Sequence, residues 1–113
     1  MQTLNELKEA LEKTGLPVAY HHYEDEHGYP YIVYEVTGQT NFFADGICYT
    51  QVADIQVDLY TATKDIATQK KLANILEENG IPWTSSETLV QNEDCYAVSY
   101  YFDIVLDGQK EAD

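Results

Sequence analysis

Between residues 52 and 60 hydrophobic and polar positions alternate one by one, Ile55, Val57 and Leu59 against Asp54, Gln56 and Asp58. A period of two marks a strand with one buried and one wet face. The same alternation runs through 96–106. There Tyr96, Val98, Tyr100, Phe102, Ile104 and Leu106 share one face, and Ser99, Tyr101, Asp103 and Val105 share the other. Residues 83–90 read as its partner strand, with Asn92, Glu93 and Asp94 as the intervening turn. The segment 31–37, YIVYEVT, is β-branched or aromatic at almost every position, and Pro30 stands where a strand begins. Residues 18–23 are extended and the polar run 24–28 is a turn, so 18–23 and 31–37 read as a hairpin.

Two stretches carry the helical period instead. Leu4, Leu7 and Leu11 place an apolar stripe on 4–14; Thr3 and Glu6 form a capping box before it, and Gly15 and Pro17 end it. Ile66, Ala73 and Leu76, with Leu72 and Ile75, line one side of a helix over 64–79. Thr63 is its expected cap, Asp65 lies in its first turn, and Gly80 and Pro82 stop it. Residues 38–46, GQTNFFADG, have a loop composition around an unusual apolar tip. The order of elements predicts an α+β fold, two helices packed on one face of a mostly antiparallel, four- to five-stranded sheet. A chain of 113 residues has room for a single domain over 1–113, with 108–113 as a loose tail.

Charge narrows the function. Twenty acidic residues face six basic ones, all Lys, for a formal charge of −14. Nucleic-acid binding needs cations that displace condensed counterions, and an anionic membrane repels such a chain, so neither partner is expected. No apolar run approaches the roughly 20 residues of a spanning helix. The first residues lack the basic start and apolar stretch of a signal peptide, which predicts synthesis in the cytoplasm. Cys48 and Cys95 form neither a CxxC pair nor a disulfide framework, and free thiols are expected.

Candidate chemistry is sparse. His21, His22, Glu24, Asp25, Glu26 and His27 crowd one turn, but adjacent histidines on a strand point to opposite faces and match no metal motif. Weak contact of a hard cation with these carboxylates is the most that the pattern supports. Cys48, Cys95, Ser85 and Ser86 have no base at a telling spacing, and no glycine-rich phosphate loop exists. The expectation is no catalytic residue, no metal and no cofactor. Ten tyrosines, mostly in expected strands, suit cross-strand packing and equally a protein-binding face. Asn41, Phe42, Phe43 and Asp45 in the 38–46 segment, and Tyr101, Asp103 and Val105 on the outer sheet face, are the candidate contact residues. The Phe pair either folds under its loop as a plug or projects into a neighbouring chain; projection is favoured by the loop's nine residues.

Five blocks, GLPVAYHH (15–22), PYIVY (30–34), NFFADGICY (41–49), IQVDLYTATKD (55–65) and YAVSYYF (96–102), stand in an order that resembles a known family. These are the tail-completion, or tail terminator, proteins of long-tailed phages and prophages of Gram-positive bacteria, and the resemblance runs from about residue 3 to 106. It implies a fold similar to the tail terminator of phage lambda. It also implies a ring, usually a hexamer, that caps the tail tube, ends its polymerisation and joins it to the head. The partners implied are further copies of the chain, the major tail-tube protein and a head-completion or connector protein. The place implied is the host cytoplasm during assembly and then the virion tail. The competing readings are an acidic inhibitor or immunity-type protein binding a basic partner, and a neighbouring head–tail neck component.

Overall fold

The computed structural model describes residues 3–21, 28–90 and 95–106. In chain order they form α1 (Leu4–Glu12), β1 (Val18–Tyr20), β2 (Tyr31–Ala44), β3 (Ile47–Thr61), α2 (Ile66–Glu78), β4 (Thr84–Val90) and β5 (Cys95–Leu106). The strands make one five-stranded sheet in the order β1-β2-β3-β5-β4. It is antiparallel except where β1 meets β2. The fold is α+β, as the order of periodicities predicts.

Both helices begin and end by local chemistry. The Thr3 hydroxyl accepts from the Glu6 amide at 3.1 Å and donates to the Glu6 carboxylate at 3.3 Å, which starts α1. The α2 cap is Asp65 rather than Thr63. Its carboxylate accepts from the Thr68 amide at 3.1 Å and the Thr68 hydroxyl at 2.6 Å, a closer fit than a cap two residues earlier gives. At the far end the amides of Gly80 and Ile81 donate to the carbonyls of Glu77 and Leu76, the paired bonds of a Schellman motif. Leu72, Ile75 and Leu76 are buried, whereas Ile66 is exposed. Nine residues of helix turn Ile66 about 180° away from Ile75, which takes it off the stripe.

The core lies between the helices and one sheet face. Leu7 and Leu11 of α1 and Leu72 and Leu76 of α2 meet Ile32, Tyr34, Ile55, Val57, Leu59, Val98, Tyr100 and Phe102. The Tyr100 hydroxyl reaches the Gln69 carbonyl at 3.4 Å, and burial pushes its pKa up to about 12. The alternation read in 52–60 holds, and so does that of 98–106: Val98, Tyr100, Phe102, Ile104 and Leu106 are buried, while Tyr101, Asp103 and Val105 are exposed; at the start of β5 it breaks, with Tyr96 half-buried and Cys95 and Ala97 buried.

Two further sequence expectations fail. β1 pairs with β2 in parallel, Val18 opposite Ile32 and Tyr20 opposite Tyr34, so 18–23 and 31–37 are not a hairpin. β1 has only three residues, about 10 Å, and the ten residues from 21 to 30 can carry the chain back to its start. The turn composition of 24–28 gave no sign of direction; 22–27 and 91–94 lie outside the described residues. Nor is 38–46 a nine-residue loop. β2 runs on to Ala44, and Asp45 (φ 53°) with Gly46 (φ 77°) makes a two-residue turn into β3. Two successive positive φ values are the type I′ pattern whose twist matches paired strands.

Candidate functional site

The extended β2–β3 hairpin dominates the outline of the molecule, which measures 51 × 28 × 22 Å. β1 accompanies β2 only as far as Tyr34, and β5 accompanies β3 only as far as Gln51. Beyond those points the hairpin is an arm. Its pairing carries two irregularities, between Val36 and Gly38 and between Phe42 and Phe43. Bulges of this kind bend a strand pair and increase its twist.

The arm is nearly free of charge. Residues 36–53 contain one ionisable acid, Asp45 at the turn, and no base, in a chain whose net charge is −14. Phe42, Phe43 and Ile47 are exposed, Phe43 and Ile47 at 62% and 64%. The Phe pair therefore does not plug a loop. Asn41 lies opposite Gln51, with its side-chain oxygen accepting from Gln39 Nε2 at 3.1 Å. Strand alternation puts Asn41 on the opposite face from Phe42, so the candidate arm residues do not form a single patch.

The outer sheet face is built in cross-strand rows. Val105 stands opposite Val52, which stands opposite Thr40; Asp103 stands opposite Asp54, which stands opposite Gly38; Tyr101 stands opposite Gln56, which stands opposite Glu35. Tyr101, Asp103 and Val105 thus sit at the base of the arm, one row after another. A side chain at Gly38 would put its Cβ 2.9 Å from Asp54 Oδ2, so the bare glycine leaves room for that carboxylate. The hydrogen bond between Asp103 and Asp54 raises the Asp103 pKa, with partial burial and the Asp54 charge adding to it. In the next rows Ser99 donates to Asp58 at 2.6 Å and Gln56 Nε2 to the same carboxylate at 3.0 Å. His21 and Glu35 make an ion-pair contact of 2.8 Å at the β1 edge.

Tyrosine divides between the two readings. Tyr34 and Tyr100 are core. Tyr29, Tyr31 and Tyr60 stack in series, with ring centroids 5.7 and 4.9 Å apart, at the end of the sheet away from the arm. Tyr101 is exposed at the arm's base, its hydroxyl 3.5 Å from Ser86 Oγ. Beside it, β4 ends at Thr84 while β5 continues to Leu106, which leaves a notch of about 420 Å³ lined by Pro82, Trp83, Thr84, Tyr101, Phe102 and Asp103.

Sequence reasoning missed three parts of this surface. Asp54, Gln56 and Asp58 are legible as wet positions but not as a polar network, because Asp103 and Ser99, which face Asp54 and Asp58, come from β5. Ile47 was hidden by the loop reading of its neighbours. The notch arises from where β4 stops, which no local pattern encodes. Among the described residues no group of three or more His, Cys, Asp and Glu converges as a metal site. Among the described residues no helix is long and apolar enough to cross a membrane. Cys95 is buried with a free thiol. Cys48 and Cys95 belong to opposite ends of the sheet, about 40 Å apart along β3, beyond the reach of a disulfide within one chain. No protein-family model and no curated protein sequence matches the chain.

Proposed function

We propose that this chain is a structural subunit of a phage or prophage tail, copies of which form a ring that caps the tail tube, ends its polymerisation and offers a surface to the head connector. The observation that carries the reading is the nearly uncharged arm with Phe42, Phe43 and Ile47 exposed on an otherwise strongly acidic domain. Burial of such a tip against protein is favourable, and no described residue of the same chain covers it. A head-to-tail ring needs two unlike patches on each subunit, and the arm and the outer sheet face are unlike. The five sequence blocks that resemble tail terminators supply the specific role. The acidic outer face suits an opening through which DNA passes, since carboxylates repel phosphates and prevent sticking. No catalytic residue, metal or cofactor enters this role.

The test is polymerisation of purified major tail-tube protein from a long-tailed phage, with and without this chain, followed by electron microscopy. The expected result is shorter tubes, each with a ring at one end. Tubes of unchanged length with bare ends would overturn the proposal.

A second reading has its own observation. Glu35, Asp54, Asp58 and Asp103 lie on strands that carry no lysine at all, a surface fit for a basic protein. An acidic inhibitor or immunity-type protein would stay monomeric at every salt concentration and bind one basic partner. A neck component would bind the connector and leave tube length unchanged.

A further inference from the structure

At the arm end of the sheet only β2, β3 and β5 remain, since β1 and β4 have both stopped. That end has two open edges. One belongs to β2 beyond Val36, the other to β5 from Phe102 to Leu106, and no described strand pairs with either. An open edge is a row of unpaired amides and carbonyls, and proteins commonly guard it with lysine, proline or a charge. The β2 edge over 36–44 carries none of these. The β5 edge has one charge, Asp103, and is flanked by the notch at Trp83 and Thr84.

We infer that the arm of one copy of this chain seats in the Trp83–Thr84 notch of the next copy, with its Phe42–Phe43 tip against Pro82 and Trp83 and its β2 edge along the open β5 edge. The occupant is a second copy because of charge. A basic partner gains most from carboxylates, of which the arm has one. A partner that is itself strongly acidic is approached most closely through a surface of low charge, and the 36–53 arm carries one carboxylate and no base in eighteen residues. The two edges face opposite ways across the sheet, so the contact is heterologous and repeats from copy to copy until it closes. This rests on the ring proposed above and names its subunit contact.

Two substitutions of exposed residues test it, Phe43→Asp on the arm and Thr84→Glu at the notch, followed by sedimentation at about 1 M salt, where charge is screened within about 3 Å. Wild type assembles, and each variant alone associates at least about tenfold more weakly, a loss of about 1.4 kcal/mol. An equimolar mixture of the two recovers one intact contact per pair and gives a 1:1 dimer with no larger species. Far-ultraviolet circular dichroism establishes that both variants are folded, and Trp83→Ala supplies a second notch variant. Wild type that remains monomeric, variants that assemble like wild type, or a mixture without dimer each overturn the inference. Assembly untouched by the variants would sink this contact while leaving the ring; intact assembly without tube capping would sink the tail role while leaving the contact.

Discussion

At the scale of residues, Asp54 and Asp103 are the pair whose chemistry is least expected from sequence. Each reads as an ordinary wet position of an alternating strand, and only the β3–β5 register puts them opposite one another. Like charges directly across a ladder destabilise it. Asp103 has a raised pKa in the folded chain, so between the ordinary carboxylate value and the raised one the native state binds more protons than the unfolded state. Stability from this group is therefore full below the unfolded pKa and is lost as pH rises through the folded one. Asp103→Asn removes the repulsion and places an amide donor opposite the Asp54 carboxylate. The expected result at pH 7 is a gain of about 0.5 kcal/mol in urea unfolding, shrinking toward zero as pH falls to about 3. A gain that persists unchanged in acid would show that the pair is not its source. Asp65 has the opposite sign: its bonds from Thr68 lower its pKa, so its contribution is present above the unfolded value and is lost on acidification.

At the scale of elements, the sequence was legible where one face of an element is buried and opaque where neither is. β5 and the inner half of β3 alternate because the helices cover one side; the ends of β5 and the far end of β3 follow from that pattern within a residue, while β3 begins at Ile47, five residues before the pattern does. Over 39–47 both faces are exposed, no alternation is selected, and GQTNFFADG looks like a loop although it pairs with β3 through two bulges. The Asp45-Gly46 dipeptide is a local hairpin signal, but among Gly38, Asn41 and the Phe pair it blends into a loop composition. β1 failed for another reason, since three residues carry no period and parallel pairing is decided by tertiary packing. The type I′ turn supports a prediction. Gly46 sits at φ 77°, a conformation that costs a residue with a Cβ about 1 kcal/mol. Gly46→Ala should speed hydrogen exchange of the arm's amides about fivefold while leaving the global unfolding midpoint in place, because the arm opens separately from the core. Equal slowing or no change across the arm would mean that the turn does not hold it.

At the scale of the whole molecule, charge separates the two functional readings more cleanly than shape does. Six copies of a −14 chain bring together a charge of about −84. At about 0.01 M salt the screening length is about 30 Å, longer than either short dimension of the protomer at 28 and 22 Å, so the charges of neighbouring copies repel across the whole width of the protomer. At about 1 M salt that length falls to about 3 Å and the repulsion is confined to groups in contact. The arm presents almost none, and burial of Phe42, Phe43 and Ile47 is not weakened by salt. The proposed self-association through the arm is therefore expected to strengthen as salt is added, from monomer at low ionic strength to a discrete ring at high. A steered complex between the acidic sheet face and a basic protein runs the other way, its on-rate falling steeply over the same range. Sedimentation velocity across the series, at fixed protein concentration and with chelator throughout, reads the sign directly. A ring already complete at the lowest salt would refute the repulsion argued here, and a monomer at every salt concentration would move the weight to the basic-partner reading.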